Sequence, residues 1–440
     1  MRGRTAPAQR LALAVALAAS IVAFSGAVQA QERPDGQGRP QTVERGASDT
    51  RGNASSQGTV EKLRSWADDQ QGGYRQVIAR LRRLGISPEF GSLGPGSGIG
   101  GGLTFRREIG SSFPIDLESS ARFTYRGYQR YDLRIGLVAG GEHRTSLQPP
   151  DQYIGSQLES ADVRRPGLGI YADIRYRHSP LNRFFGQGNE SSAGSQTSYT
   201  LSGGSYELVA EYQANEWLGF AARGGLLDFD IGRGRDAAHP STISLFGEDA
   251  APGIARQPMF LHLAGGVAIE GRDSVEAPRS GGAVGLLVER FDSRSRDYDF
   301  TRVALDARYF VPATRRSVVA LRALTSHDMA DAGARVQFYL QHTLGGSETL
   351  RGFDRARFRD SSLVALSAEY RFDVHPAVEL AAFGDFGQVA SSFGHMSFDR
   401  FRTAVGAGVR FKTGGVVRFR VDWAVSREGH RLVLSAGPSF

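Results

Sequence analysis

From about residue 97 to the end of the chain, apolar and polar residues alternate with a period of two. In Leu168–Arg177, the residues Leu168, Ile170, Ala172, Ile174 and Tyr176 share one side, and Tyr171, Asp173, Arg175 and Arg177 take the other. Val303, Leu305, Ala307, Tyr309 and Val311 alternate with Arg302, Asp306 and Arg308; Val417, Phe419, Val421, Trp423 and Val425 alternate with Arg418, Arg420 and Asp422. Side chains of a strand point to opposite faces in turn, so each segment predicts a strand with one apolar and one charged face. Sixteen such segments can be drawn, from 97–108 through 334–342 to 430–440. Polar connections at 140–167 and 230–258 are expected as outer loops, and His375–Pro376 as a short turn on the opposite rim.

A soluble sandwich would also alternate. Here the apolar faces carry Tyr, Phe and Trp near strand ends, as an interfacial girdle requires, and the strands are long enough to cross a bilayer at a tilt. The predicted fold is all-β: an antiparallel transmembrane β-barrel of sixteen strands, closed by the meeting of first and last strands. Mean hydropathy is only −0.30, which suits a wall whose other face lines a polar lumen.

The N-terminal part follows different rules. Arg2, Arg4 and Arg10 precede an apolar run from Leu11 to Phe24, too short for a spanning helix. Val28-Gln29-Ala30 then offers small residues at the −3 and −1 positions of a cleavage site, so residues 1–30 are expected to be a signal peptide. Residues 31–95 are expected to form a disordered and partly helical periplasmic linker or plug, with residues 96–440 as the barrel. Within that linker, Tyr74, Val77, Ile78, Leu81 and Leu84 share a helical face.

Composition narrows the chemistry. The absence of cysteine excludes disulfides and thiolate catalysis, and the net charge of +7 is carried by arginine apart from Lys62 and Lys412. In an exported chain that balance points to anionic lipid or a basic lumen rather than nucleic acid. Gly96, Gly98 and Gly101 match a dinucleotide fingerprint, but a strand follows where a helix is needed. There is no Gly-x-Ser-x-Gly, no Ser–His pairing and no metal-ligand spacing, so no enzyme activity, cofactor or metal is expected. The lumenal arginines Arg175, Arg177, Arg302, Arg308, Arg418 and Arg420 could select anions, or simply solvate the wall.

One segment departs from the character of a loop tip. Gly345-Gly346 opens a stretch that continues to Leu350-Arg351-Gly352-Phe353, whereas exposed tips are small and polar throughout. Alternation around Val364, Leu366 and Tyr370 turns Glu369 inward, and alternation around Leu380 and Phe386 turns Asp385 inward. A guanidinium on the loop and two carboxylates on the wall could tether the loop in the lumen. A close pair attracts by about 4 kcal/mol at an effective dielectric of ~20, before desolvation is subtracted.

This arrangement resembles the BamA/TamA-type outer-membrane barrels, the bacterial surface antigen domain. Leu350-Arg351-Gly352-Phe353 is similar to the tip of their inward-folded sixth outer loop, and Phe383-Gly384-Asp385-Phe386-Gly387 to the strand whose aspartate pairs with that arginine. The resemblance covers residues 343–440 specifically. It implies that Arg351 locks the loop to Glu369 and Asp385, that no chemistry is catalysed, and that lateral opening between first and last strands admits substrates. The implied function is protein or lipid insertion or translocation at the bacterial outer membrane; the alternative is a passive pore or structural barrel. The implied partners are outer-membrane lipid, the barrel assembly machinery during biogenesis, and unfolded outer-membrane proteins or a periplasmic POTRA-bearing partner. Leu432, Leu434 and Phe440 resemble the C-terminal barrel signal. The family's transport members carry POTRA domains before the barrel, and the stretch ahead of residue 96 lacks their strand pattern.

Overall fold

The computed structural model describes residues 80–440 except 95, 111–114, 139–145, 152–154 and 160–166. The expected signal peptide, most of the expected linker and the first expected helix lie outside the described residues. Of the second helix, residues 80–83 are helical.

Sixteen strands form one antiparallel sheet in chain order. They are β1 (Ile86–Gly91), β2 (Gly100–Ile109), β3 (Ile115–Thr124), β4 (Gln129–Val138), β5 (Gly167–Phe184), β6 (Thr197–Gln213), β7 (Leu218–Arg233) and β8 (Phe260–Glu270), followed by β9 (Gly281–Ser293), β10 (Phe300–Thr314), β11 (Ser317–Ala330), β12 (Ser362–His375), β13 (Val378–Ala390), β14 (Arg402–Thr413), β15 (Val416–Ser426) and β16 (Gly429–Ala436). Among the described residues no ladder joins β1 to β16, so the sheet has a seam.

The count of sixteen matches the expectation, but its membership does not. The sheet begins at Ile86, inside the stretch read as linker, with a six-residue strand paired to β2. The segment 334–342 is no wall strand. Its Val336, Gln337, Phe338 and Tyr339 are all buried, whichever side of the alternation they occupy. The Phe338 amide donates to the carbonyl of Pro252, in the connection that follows β7, at 2.8 Å. The last strand ends at Ala436 rather than Phe440, because Gly437 takes a positive φ of 74° and Pro438 follows. The tail turns inward, and Phe440 packs on Phe310, Val318 and Ala320.

Antiparallel order places alternate connections on opposite rims. The long connections 234–259 and 331–361 share one rim with 185–196 and 391–401. The connection 139–166 lies on the other rim with the short turns 214–217, 315–316 and 414–415, so 140–167 and 230–258 cannot both be outer loops. By strand order 139–166 thus lies on the rim of the short turns, opposite 331–361. It contains a small hairpin, Ser146–Asp151 with Gly155–Glu159, whose backbone packs against β6 to β9.

The two faces of the wall separate as the alternation requires. Leu168, Ile170, Leu261, Leu263, Tyr309, Leu366, Tyr370 and Trp423 are exposed, while Asp173, Glu207, Arg223, Arg302 and Glu369 are buried inside. One lumenal reading changes. A bulge pairs Lys412 with Val417 and Phe411 with Phe419, which leaves Arg418 as the extra residue. Val417 is thereby buried and Arg418 exposed.

Candidate functional site

The 331–361 connection folds back into the barrel and is held at two levels. Near the outer rim, Phe338 sits among Phe184, Tyr199 and Tyr339, with ring centroids 4.9, 5.0 and 5.6 Å away. Phe260, Phe291 and Phe300 extend this core around the lumen. Arg359 ties the returning limb to it by donating to the Phe338 carbonyl and, at 3.3 Å, to the Tyr199 hydroxyl. Aromatic and aliphatic side chains of the loop thus pack against the inner side of β5 to β10.

Deeper, the tip is seated by apolar neighbours. Leu350 and Phe353 are buried with Leu344, Phe358, Leu363 and Val389. Gly345 and Gly346 both take positive φ, and a Cβ on Gly345 would meet the Asp354 carbonyl at 2.2 Å. Only glycine permits that reversal. Gly352 lies against the wall: its carbonyl accepts from Ser426 Oγ at 2.8 Å, and an added Cβ would stand 2.8 Å from the Cβ atoms of Ala404 and Ser426.

Arg351 projects from this tip into a fully lined socket. Nε and Nη2 donate to the two carboxylate oxygens of Asp385, both at 2.7 Å, and the Arg351 amide adds a third bond to Asp385 at 3.2 Å. Nη1 reaches Glu369 at 2.5 Å and stands 3.7 Å from Asp422. The guanidinium carbon lies 3.4 Å from the centroid of the Phe383 ring. Two parallel N–H bonds to one carboxylate fix orientation as well as position, and the ring face adds cation–π attraction.

The socket belongs to a larger network. Glu369 also accepts from Arg371 at 2.8 Å and from Arg410 at 3.1 Å; Arg410 stands 3.5 Å from Asp422 and 3.7 Å from Glu379; Arg420 bonds Asp422 at 2.7 Å. Arg351, Arg371, Arg410 and Arg420 therefore face Glu369, Glu379, Asp385 and Asp422, four charges of each sign. Such balance is what makes burial of so many ions tolerable. Arg420 further donates to the Ser347 carbonyl at 2.8 Å, Arg357 pairs with Glu428 at 2.9 Å, and Arg431 of β16 pairs with Asp354 at 2.6 Å.

Arg351, Gly352, Phe353, Glu369 and Asp385 thus lie together, with the Gly345–Gly346 pair at the base of the same loop. Leu432 and Leu434 lie apart on the outer face of β16, two-thirds and three-fifths exposed. Phe440 is inside, under the Arg371 guanidinium at 5.2 Å. The sequence reading set Asp422 on a charged face and Phe383 in the motif strand without giving either a part in the socket, and it missed Arg371 and Arg410. All occupy inward positions of the alternation, and an apolar ring among inward charges was the available signal for Phe383. It also missed a second buried network on β5–β9. There His262 bonds Glu207 at 2.7 Å and Glu289 at 3.1 Å, and Arg223 bridges Glu207 and Asp173 at 2.6 and 3.2 Å.

Below the loop, a cavity of about 560 Å³ opens between Arg308, Arg322, Glu348, Arg420 and the inward-turned tail. Among the described residues no group of side chains could hold a metal ion.

Residues 258–433 match the Omp85 superfamily domain. Among solved structures, BamA from Haemophilus ducreyi lacking POTRA domains 1–3 superposes with a TM-score of 0.54 at 11% identity, covering 83% of this chain and 76% of that one. CdiB from Escherichia coli superposes with a TM-score of 0.45 at 12% identity, over 80% of this chain and 59% of that one. At 11% identity the likeness to BamA is one of fold. No curated relative matches the chain by sequence.

Proposed function

With the chain carrying an Omp85 superfamily domain as the premise, we propose that it works at the bacterial outer membrane, aiding insertion or translocation of protein or lipid through the seam between β1 and β16. Arg351 acts in this reading as the lock that keeps the 331–361 loop in the lumen. No bond is made or broken, so the role is not enzymatic. Unfolded outer-membrane proteins are the substrates this reading favours, delivered directly or by a periplasmic POTRA-bearing partner.

The observation that carries the proposal is the pairing of a seam without a ladder, among the described residues, with a loop folded into the lumen. A passive pore needs open lumen, and the inward-folded 331–361 loop takes up lumenal space against the β5–β10 wall. Edge strands, by contrast, present unpaired backbone groups able to accept an incoming strand. β1 and β16 are six and eight residues long, short for a tilted span.

The test uses residues 31–440 refolded into liposomes with an unfolded barrel protein added. The chain has no cysteine, so Phe90→Cys on β1 and Leu432→Cys on β16 put one thiol on each side of the seam, to be bridged by bifunctional thiol reagents of graded length. The expected result is faster folding of the added protein, lost on cross-linking and reduced in Arg351→Ala. A folded barrel that gives no acceleration would overturn the insertion reading.

A further inference from the structure

The connection 391–401 between β13 and β14 sits on the outer rim, yet Phe393, Met396, Phe398 and Phe401 lie within nine residues of it, beside the exposed Asp399 and Arg400. Phe398 is 95% exposed and Phe393 46% exposed. An exposed cluster of this kind needs a cover.

Its position shows what the cover is. The Phe393 ring lies 5.0 Å from the ring of His327. His327 belongs to a cross-strand row that runs Val288, Val303, His327, Ser362. Its chain neighbour Asp328 points into the lumen and is buried on Arg302, so His327 points outward. Val288, in the same row, is 45% exposed on the apolar outer face. The connection therefore leans over the rim and down the outer wall, and Phe393 joins a row that already belongs to the apolar face. Phe401 stacks on Phe398 at 6.0 Å and 17°.

The segment is also held at its base. The Ser397 amide donates to Gln388 at 3.2 Å, and the Arg400 carbonyl accepts from Asn189 Nδ2 at 2.7 Å. Arg402 clamps the other side of Asn189, donating to its carbonyl at 2.5 Å. The aromatic tip is thus presented outward from a fixed support, which lowers the ordering cost of binding.

We propose that 391–401 is a lipid-embedded foot: Phe393 and Phe398 enter the acyl region of the outer leaflet and fix the height and lean of the β11–β14 wall. Apolar rings seated at the interface stabilise in proportion to the area they remove from water. The inference rests on the reading of the sheet as a membrane barrel, and the experiment separates the two.

Single cysteines replace Phe398, Val405 and Asp249 in the full chain. Val405 is an exposed wall residue of β14, and Asp249 is fully exposed on another outer connection. Each variant is labelled with an environment-sensitive fluorophore and refolded into phosphatidylcholine vesicles, with folding verified by heat-modifiable gel migration. The labels are then challenged with acyl-chain nitroxide lipid and with aqueous iodide. At 398, the expected result is blue-shifted emission, nitroxide quenching near that at 405, and iodide quenching several-fold weaker than at 249. If 405 is quenched by lipid while 398 behaves like 249, the foot is overturned and the barrel stands. If 398 is shielded from both quenchers and transfers energy between copies, it is covered by protein and the lipid proposal is overturned. If 405 itself is not quenched by lipid, the membrane-barrel reading falls first.

Discussion

The 331–361 connection is gripped by two regions built on opposite principles. Near the rim, Phe338 lies in an apolar core of Phe184, Tyr199 and Tyr339. At the tip, Arg351 lies in an ionic socket of Asp385, Glu369 and Asp422. Apolar packing is non-directional and tolerates rearrangement, whereas a buried guanidinium requires every partner in place. The aromatic region supplies the drive to bring the loop inside. The socket decides where the tip stops, since a displacement would leave buried charges without partners.

Substitutions can break this comparison. Arg351→Ala is expected to cost about 3–5 kcal/mol by stranding Asp385 in the socket, seen as a lower temperature for conversion of the fast-migrating folded form. Combined with Asp385→Ala, the loss should fall well short of the sum of the single losses; additive losses would mean that the pair is not coupled. Phe338→Ala should cost a similar amount, about 3–5 kcal/mol, by opening a cavity.

The sharper contrast comes from conservative changes. Arg351→Lys keeps the charge but loses the fork, and should retain little of the wild-type heat resistance. Phe338→Leu should stay within about 1.5 kcal/mol of wild type. Equal tolerance at both positions would erase the distinction between drive and register. Gly352→Ala, which forces a methyl group against Ala404 and Ser426, is expected to cost about 1–3 kcal/mol by overpacking.

The smallest effect concerns the 234–259 connection beside the aromatic core. Glu248 accepts from the Gly253 amide at 2.5 Å, the Ala255 amide at 3.1 Å and the Tyr298 hydroxyl at 2.7 Å. Burial raises its pKa, but these bonds outweigh burial and hold it below the ordinary glutamate range. A lowered folded-state pKa gives stability present above the unfolded value and lost as the pH falls through the folded one. Protease nicking of 234–259 should therefore increase only in acid. In Glu248→Gln that acid-dependent increase should be absent.

The fold was legible because a wall between unlike media writes its two faces into every strand. Errors arose where that rule stops. β1, Ile-Ser-Pro-Glu-Phe-Gly, is too short for its alternation to show and contains a proline suited to an edge. Val336, Phe338 and Leu340 alternate with Gln337 and Tyr339, yet the segment is buried all round in the lumen, where alternation carries no facing information. The bulge at Arg418 shifts the phase by one residue, which a strict period cannot anticipate. At the loop tip, the inward facing of Glu369 and Asp385 followed from their neighbours. Their sharing with Arg371, Arg410 and Asp422 depends on register between strands, which lies beyond any single segment.

The loop's attachments also have a mechanical consequence. Its carbonyls and side chains bond β11 through Arg322, β15 through Arg420 and Ser426, and β16 through Arg431. Together with the socket on β12 and β13, they brace the C-terminal side of the seam, and Arg183 of β5, which shares Asp354 at 2.7 Å, carries the brace across to the wall beyond β4. The opposite flank holds β1 by a six-pair ladder and by Glu89, which accepts from Thr104 at 2.5 Å and stands 3.6 Å from Arg122, and its lumenal pairs, such as Arg122–Asp132, are partly solvated. Stiffness is therefore unequal across the seam. Under lateral load the braced side behaves as the fixed jaw, and compliance is concentrated in β1 to β4.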